Sequence, residues 1–238
     1  MSADRDREEQ IQMAWRHNAA PWVQAVRNHT IESRVRVTDA AIVDTVLGDQ
    51  PQTVLDVGCG EGWLCRALQA HGIATLGIDM EPALVAAAKA AAPGHDYRTT
   101  EYRHITTALG HHRFDLAVCN FSLLGDQSVA QLLEALGSLV TLGNRNLIIQ
   151  TLHPHSAFGS SAYKDGWRAG SWQGLGNGFG EAAPWYFRTL GSWVALLHTH
   201  RWSIHQLHEP LDETTGRPAS LIIHARRQAP AGDPTEVK

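Results

Sequence analysis

The sequence predicts an α/β fold in which helices cover both faces of a mostly parallel β-sheet. Three observations support this prediction. Short β-favouring segments alternate with amphipathic helical segments between residues 53 and 152. The strand segments are continuously apolar, which is typical of strands buried on both faces. The chain has 238 residues, of which 43% are hydrophobic, enough for a substantial core. Right-handed crossovers then give a doubly wound sheet.

The predicted elements follow one another in a regular order. Residues 11–47 have helical spacing of apolar residues, and residues 1–10 are expected to be solvated and frayed. The sheet strands are predicted at 53–57, 74–79, 96–102, 114–120, 146–152, 203–207 and 220–225. The intervening helices are predicted at 62–71, 81–92, 128–140 and 189–198. A polar, turn-rich connection between the last two strands predicts an antiparallel ending to the sheet.

The alternation breaks after the fifth strand. Residues 154–188 have no long period and combine glycines with aromatic residues, and five of the eight tryptophans lie between Trp167 and Trp202. We expect this segment to be a substrate cap whose glycines allow movement and whose rings enclose a flat or apolar acceptor. A locally packed subdomain would have the same composition. The Pro- and Gly-containing tail at 228–238 is expected to be flexible.

Composition and charge exclude several classes of protein. The net charge of −4 argues against a nucleic-acid backbone as the main partner. No segment is long and apolar enough for a membrane span or a signal peptide. The three cysteines lack zinc-site spacing and lie in apolar segments, which predicts buried, reduced thiols and no metal site. We therefore expect a cytoplasmic protein, as a monomer or homodimer.

The strongest motif is the glycine loop DVGCGEG at residues 56–62, between the first strand and a helix. Alternate glycines let the backbone turn tightly and approach a ligand, and the helix N-terminus favours an anionic group. A nicotinamide-binding loop has the spacing GxGxxG, but here the third glycine comes one residue early and Trp63 follows it. Asp56 would repel a pyrophosphate, whereas it suits a ligand with an ammonium beside a carboxylate. A nicotinamide-dependent oxidoreductase is thus disfavoured.

A second acidic residue, Asp79, ends the second predicted strand. In doubly wound folds an acid at this place pairs with the ribose hydroxyls of a nucleotide. A lone Asp after a strand is otherwise a turn or helix-capping residue. Because the glycine loop precedes it, we predict that Asp79 binds a ribose.

These segments carry a family resemblance. VLDVGCGEGWLCRAL, GIATLGIDM and FDLAVCNFSLL resemble the class I S-adenosylmethionine-dependent methyltransferases, in particular the small-molecule branch around ubiquinone-type O-methyltransferases. The resemblance covers roughly residues 50–152. It implies a Rossmann-like seven-stranded sheet of order 3-2-1-4-5-7-6 with strand 7 antiparallel. It also implies S-adenosylmethionine as donor, S-adenosylhomocysteine as product, and a small-molecule acceptor.

The resemblance further implies which residues contact the cofactor. Asp79 would hold the ribose, Met80 would lie against the adenine, and Asn120 and Phe121 would flank the methyl-donating end. The loop residues that would hold the methionine part are Asp56, Gly58, Cys59, Gly60 and Gly62. The family usually places an Asp after the third strand to bind the adenine amino group. Here residues 99–105 have none, so Glu101, Tyr102 or a backbone group would replace it.

The segment after the fourth strand also bears on the acceptor. Nucleic-acid and protein-amide methylases of this fold often carry an Asn/Asp-Pro-Pro-Tyr-type motif there. This chain has Asn120-Phe121-Ser122-Leu123 instead, and no dense basic run. A small molecule is therefore the predicted acceptor, and no nucleic acid is expected as a partner.

His153 is the predicted general base for a hydroxyl acceptor. It follows the fifth strand directly, at the carboxyl edge where α/β sheets bind ligands. An ordinary histidine has a pKa of about 6.5, close to working pH. His155 is the second candidate and is expected beside the substrate. The alternatives are that His153 is a loop residue with a backbone partner, or that an amine or carbon acceptor needs no base.

The remaining candidate residues come from two regions. Residues 1–48 are expected to form an N-terminal helical lid on the methyltransferase domain at 49–238. In this lid Trp15 and Trp22 would roof the site, and Arg34 would bind the donor carboxylate or an acidic substrate, or lie on a solvated helix face. In the cap at 154–188, the expected substrate contacts are Trp185, Tyr186 and Arg188. A non-catalytic S-adenosylmethionine-binding module is the alternative function.

Overall fold

The main sheet of the protein has seven strands and confirms the predicted fold class. The computed structural model describes residues 2–141, 146–157, 159 and 161–228. The strands of this sheet are β1 Thr53–Val57, β2 Ala74–Asp79, β3 Asp96–Thr99, β4 Leu116–Asn120, β5 Asn146–Thr151, β8 Trp202–His208 and β11 Leu221–Arg227. Their spatial order is β3-β2-β1-β4-β5-β11-β8. β1 to β5 run parallel, and β11 lies antiparallel to both β5 and β8, as predicted.

Helices and short turns connect these strands. The helices are α1 Ser2–Arg27, α2 Asp39–Gly48, α3 Trp63–Gln69, α4 Pro82–Ala91, α5 Ile105–Leu109, α6 Gln127–Leu136, α7 Pro154–Ala157 and α8 Leu190–Thr199. A π-helical turn at Arg34–Thr38 precedes α2, and a 3-10 turn at Tyr102–His104 precedes α5. Two small antiparallel ribbons pair β6 Gly166–Arg168 with β7 Trp185–Phe187, and β9 Leu211–Asp212 with β10 Arg217–Pro218.

The apolar core lies on both faces of the main sheet. Successive strand residues point to opposite faces, so Leu55 packs into the layer that contains Leu132 of α6. Its neighbour Val54 packs into the opposite layer with Ile42 of α2. This two-sided burial explains why the strand segments are continuously apolar. It also leaves the carboxyl ends of β1, β2 and β4 at one edge of the sheet, where ligands of such folds bind.

The N-terminal segment differs from its prediction in two ways. Helix α1 begins at Ser2, so residues 2–10 are helical rather than frayed. The single helix expected over residues 11–47 is interrupted after Arg27, where His29 adopts a left-handed backbone with φ of 53°. The apolar spacing on either side of this break is helical, which is why periodicity alone did not locate it.

Residues 166–187 lie against the outer side of α1. The Trp172 ring stacks on Phe179 with centroids 4.7 Å apart, and it meets the Trp15 ring edge-on. Asn18, on the same helix, is fully buried. Its side-chain amide donates to the Glu181 carbonyl at 2.9 Å and accepts from the Gly180 N–H at 2.7 Å. This segment therefore holds α1 in place. Of the tail expected to be flexible at 228–238, residues 229–238 lie outside the described part of the chain.

The three cysteines, Cys59, Cys65 and Cys119, are free and buried, as predicted. Burial raises the pKa of each thiol above its usual range. Among the described residues, no helix combines the length and the apolar character that a membrane crossing requires.

Candidate active site

The glycine loop turns the chain sharply from β1 into α3. Gly58, Gly60 and Gly62 all have positive φ, at 75°, 56° and 80°. A Cβ on Gly58 would lie 2.3 Å from the Cβ of Ser122, and one on Gly62 would lie 2.7 Å from the Tyr97 hydroxyl. Both positions thus require glycine for conformation and for space. The loop brings the backbone of residues 58–60 to the carboxyl edge of the sheet.

Asp79 lies at the end of β2 beside this loop. Its Oδ2 accepts a hydrogen bond from the Gly60 N–H at 2.9 Å, and its Oδ1 accepts one from the Glu81 N–H at 2.9 Å. Desolvation by the surrounding protein raises the pKa of Asp79 to about 6. The carboxylate is fixed by two backbone donors and retains lone pairs for a ligand.

Asp56 lies behind the loop and is 1% exposed. The Cys65 thiol donates to its Oδ2 at 3.4 Å. Burial raises the pKa of Asp56 to about 7. Asp56 does not line the cavity described below, and neither do Cys59 and Gly62. These three residues shape the loop from within.

A cavity of about 530 Å³ opens at the carboxyl edge of the sheet, beneath α1. Eight of the residues predicted from the sequence line it: Trp15, Trp22, Gly58, Gly60, Asp79, Met80, Asn120 and Phe121. The Tyr102 and Glu101 side chains, considered for the adenine contact, also line it. Its volume falls within the range of roughly 300–1,000 Å³ typical of small-molecule sites.

The residues of this cavity fit an adenosyl ligand that carries an amino acid. Asp79 offers a carboxylate to ribose hydroxyls, and Met80 and Leu84 offer apolar surface next to it. The Trp22 Nε1 lies 3.5 Å from the position a Cβ would take on Gly60, so the loop passes close to α1. The Asn120 Oδ1 is buried without a hydrogen-bond partner among the described residues, although its side chain lines the cavity. A buried polar atom of this kind is stabilised when a ligand approaches.

Helix α1 forms the roof and is tied down at both ends. Near its start, the Glu8 carboxylate accepts hydrogen bonds from the Asp126 N–H at 2.9 Å and from the Ser128 hydroxyl at 2.6 Å, at the beginning of α6. At its end, the Arg27 Nε donates to the fully buried Glu61 at 2.9 Å. A side chain at Gly125 would overlap Glu8, because its Cβ would lie about 2.4 Å from the Glu8 Oε2.

Glu8 is a site residue that the sequence analysis missed. It lies in the run of alternating charges that we expected to be frayed. A carboxylate placed to cap a distant helix leaves no local pattern, because its partners on α6 are more than a hundred residues away. The sequence analysis did not single out the cavity residues Ile11 and Gln12 either.

The structure does not bring His153 to the cavity. Its Nε2 lies 2.6 Å from the Glu209 Oε1, and its Nδ1 accepts the His155 backbone N–H at 3.2 Å. Both ring nitrogens are therefore used, and the ring is 8% exposed. Neither His153 nor His155 lines the cavity. The reason is that α7 starts immediately after β5 and turns this segment toward the connection that contains Glu209.

Arg34 lies beside Trp22 of α1 rather than in the cavity wall. Its Nε donates to the Asp39 Oδ1 at 2.9 Å, and its guanidinium carbon lies 4.6 Å from the Trp63 ring centroid and 5.9 Å from that of Trp22. The side chain is buried, and its Nη2 has no partner among the described residues. It is thus a buried cation with a free donor, next to the helix that follows the glycine loop.

The predicted cap residues Trp185, Tyr186 and Arg188 do not line the cavity. Arg188 donates to the Gly125 carbonyl at 2.9 Å and to the Asp126 Oδ1 at 2.9 Å. Burial lowers the pKa of the Arg188 guanidinium. The Tyr186 N–H donates to the Leu124 carbonyl, and Leu124 and Gly125 are wall residues. The 185–188 segment therefore supports the wall from behind. In the described part of the chain, no three His, Cys, Asp or Glu side chains form a group suited to a metal ion.

Comparisons with known proteins agree with this geometry. The sequence model of a family described as "Methyltransferase domain" matches residues 54–143, which span the glycine loop, Asp79 and Asn120. This match identifies residues 54–143 as a methyltransferase domain. A magnesium protoporphyrin IX methyltransferase from Synechocystis has been solved with S-adenosylmethionine bound, and it is 17% identical with a TM-score of 0.54 over 79% of this chain and 77% of that one. None of the proteins with curated descriptions matches the chain in sequence.

Several solved structures share the methyltransferase fold. An S-adenosylmethionine-dependent methyltransferase from Mesorhizobium loti is 25% identical, with a TM-score of 0.55 over 74% of this chain and 90% of that one. The CcbJ methyltransferase from Streptomyces caelestis is 15% identical, with a TM-score of 0.58 over 84% and 90%. A 1,6-didemethyltoxoflavin-N1-methyltransferase from Burkholderia thailandensis, solved with its substrate and S-adenosylhomocysteine, is 17% identical, with a TM-score of 0.57 over 79% and 76%.

Proposed function

We propose that this methyltransferase transfers the methyl group of S-adenosylmethionine to a small-molecule acceptor in the cavity beneath α1. The observation that carries the proposal is the Asp79 carboxylate, fixed by the Gly60 N–H and facing the cavity at the head of the glycine loop. The net charge of −4 and the cavity of about 530 Å³ support a small molecule over a nucleic acid. We also propose a cytoplasmic monomer or homodimer, since free, buried thiols suit a reducing compartment.

The chain's own residues bind and orient the reactants. Asp79 accepts hydrogen bonds from the ribose hydroxyls, and Met80 packs against the adenine beside Glu101 and Tyr102. The backbone of Gly58 and Gly60 approaches the methionine part, where the free Nη2 of Arg34 is a candidate partner for its carboxylate. Asn120 and Phe121 flank the end from which the methyl leaves. When bound, the cofactor supplies a methyl group already activated on a sulfonium.

The role of α1 is to exclude water and to align the acceptor. In-line displacement needs the nucleophile, the methyl carbon and the sulfur on one line, and most of the catalytic effect comes from holding this geometry. Trp15 and Trp22 extend from α1 into the roof of the cavity, and the bonds of Glu8 and Arg27 fix the helix over it. The N-terminal segment thus acts as a lid. For His153 to act as a general base, a rearrangement would have to free one of its ring nitrogens from Glu209 or from the His155 N–H.

Calorimetry with S-adenosylhomocysteine tests this function. The wild type is expected to bind, and Asp79→Asn to bind about 10–100-fold more weakly, because charge-assisted hydrogen bonds to the ribose contribute roughly 1.5–3 kcal/mol. Asp44→Asn, on an exposed residue of α2, is the matched control and should bind like wild type. NAD should not bind. Absence of S-adenosylhomocysteine binding by the wild type at millimolar concentration would refute the proposal.

Turnover separates an enzyme from a binding module. A screen of small phenols, amines and carboxylates, with mass detection of methylated products, should yield at least one acceptor. Binding of S-adenosylhomocysteine without turnover of any acceptor would favour the non-catalytic alternative.

A further inference from the structure

We propose that the acceptor reacts through an uncharged, weakly basic nitrogen that bears hydrogen, such as that of an aryl amine, and that the enzyme uses no general base. The inference rests on the proposed function and names its substrate class. It follows from what each ionisable or protic side chain in the cavity wall already does. A neutral hydroxyl needs its proton removed before or during attack, whereas the lone pair of an aryl amine is free at neutral pH.

The usual proton acceptors are absent from the described part of the wall. None of the described residues that line the cavity is a histidine, lysine or cysteine. Histidine is the side chain whose ordinary pKa best suits base catalysis near neutral pH. The nearest sequence candidate, His153, has both ring nitrogens engaged away from the cavity. A base would thus have to be one of the carboxylates or hydroxyls of the wall.

Three of the four carboxylates in the described wall are already engaged. Glu8 accepts from the Asp126 N–H and from the N–H and hydroxyl of Ser128, and this holds α1 on α6. Asp79 accepts two backbone N–H groups and is assigned to the ribose. Glu101 pairs with Arg103 at 3.0 Å. The fourth, Glu9, is exposed to solvent on α1.

Each hydroxyl group of the described cavity wall donates a hydrogen bond to an oxygen of the protein. The Tyr102 hydroxyl donates to the Ser122 carbonyl at 2.9 Å, and burial raises the pKa of this phenol. The Ser122 hydroxyl donates to the Val57 carbonyl at 2.6 Å, and that of Ser128 donates to Glu8 at 2.6 Å. Each proton is therefore directed to a fixed acceptor in the protein. None of these oxygens is arranged to take a proton from a substrate.

The side chain of Asn120 favours an acceptor that has an N–H group. Its Oδ1 is a buried acceptor without a partner in the described chain, on a side chain that lines the cavity at the end of β4. An amide oxygen accepts a hydrogen bond but remains unprotonated at neutral pH. Paired with an acceptor N–H, it orients the nitrogen lone pair toward the methyl group. An acceptor carboxylate has no hydrogen to offer it.

Methyl transfer from the sulfonium to this nitrogen needs no further reactant. The nitrogen lone pair forms the new N–C bond while the C–S bond breaks, and its electron pair stays on sulfur, so the sulfonium becomes a thioether. The methylated nitrogen carries the positive charge briefly and then releases one proton to water. Because that proton is acidic after methylation, its loss needs no protein base.

Matched acceptors test the inference. Sets of aryl amine, phenol and aryl carboxylate on the same one- to three-ring skeletons are assayed from pH 6 to 9, with S-adenosylhomocysteine affinity measured on the same samples. We expect amines to be methylated at a rate independent of pH, and phenols only in proportion to their ionised fraction. Preference for a carboxylate, failure of every amine, or a phenol rate that levels off well below the phenol's own pKa would overturn the inference.

A variant of Asn120 gives a second readout. Asn120→Leu should raise KM for the amine about tenfold, the equivalent of one hydrogen bond, and this change should exceed any change in its S-adenosylhomocysteine affinity. Gln206→Leu, on an exposed position of β8 outside the cavity wall, is the matched control and should leave KM unchanged. An unchanged KM in Asn120→Leu would contradict its contact with the acceptor. Loss of S-adenosylhomocysteine binding by the wild type would instead refute the proposed function itself.

Discussion

Asn18 links α1 to the segment that covers its outer side, and its removal should release the lid. The side chain is fully buried and makes three hydrogen bonds: it donates to the Ala14 carbonyl at 2.8 Å and to the Glu181 carbonyl, and it accepts from the Gly180 N–H. The change Asn18→Ala deletes all three at once. It leaves the apolar contacts around Trp15 and Trp172 in place.

The expected magnitude follows from this count. A hydrogen bond contributes about 1 kcal/mol net, so losing three costs roughly 2–3 kcal/mol where the partners stay buried. Gly180 and Glu181 are exposed residues and can turn to water if the segment lifts, which places the cost at the lower end. Asn18→Asp keeps an acceptor for the Gly180 N–H but loses both donated hydrogen bonds. Its free energy of unfolding should therefore fall by at least the contribution of two hydrogen bonds.

Urea unfolding and hydrogen exchange measure this effect. Asn18→Ala should lower the free energy of unfolding by about 2 kcal/mol, and the amides of α1 should exchange faster than those of the central strands. Gln24→Ala, on an exposed position of the same helix, should change neither. A loss in Asn18→Ala no larger than in the Gln24 control, with α1 still protected, would show that residues 166–187 do not hold the lid.

Four further predictions concern the cofactor site and the lid. Gly58→Ala should abolish S-adenosylhomocysteine binding, because the new Cβ would overlap the Ser122 side chain. Gly72 also has a positive φ, of 82°, but the space beside it is open. Gly72→Ala should therefore lower the free energy of unfolding only by the backbone strain, about 1–2 kcal/mol. Glu8→Ala should weaken S-adenosylhomocysteine binding about tenfold in calorimetry by loosening the lid. Below the Asp79 pKa of about 6 the protonated carboxyl loses ribose hydrogen bonds, so the affinity should fall up to tenfold per pH unit and stay constant above it. His153→Ala should reduce turnover less than tenfold at saturating donor, since a true base contributes about 10²–10⁴.

For each of these predictions, a specific result would contradict the reasoning. Gly72→Ala and Gly58→Ala with equal effects would remove the steric argument. Unchanged affinity in Glu8→Ala would mean that the lid does not depend on α6. A pH-independent affinity between 4.5 and 8, with the protein folded throughout by circular dichroism, would contradict the role of Asp79. A larger loss in His153→Ala would restore the base hypothesis.

The sheet, the sharp turn of the glycine loop and the position of Asp79 at the cavity were predictable because their signals are local. Continuous apolar strands, the glycine loop and Asp79 all lie within short stretches, and each has a physical reason to occur at its position. The strand order came from the family resemblance, and the observed order agrees with it. Local sequence thus located these elements, although Asp56, Cys59 and Gly62 lie in the same stretch and do not line the cavity.

The roof was not predictable because its contacts join distant residues. Glu8 reaches α6, Asn18 reaches residues 180–181, and Arg188 reaches the wall loop at Gly125. The aromatic residues of the 154–188 segment suggested a substrate pocket, yet rings such as Trp172 and Phe179 pack on α1 and on each other. Composition indicates how much ring surface must be buried, but not which partner buries it.

The burial of all three thiols makes the chain suited to selective labelling. A thiol must ionise and meet the reagent in order to react, and burial prevents both for Cys59, Cys65 and Cys119. A cysteine introduced by Gln24→Cys would be the one reactive thiol in the folded protein. A fluorophore attached there would report the opening and closing of α1 in real time, without removal of any native cysteine.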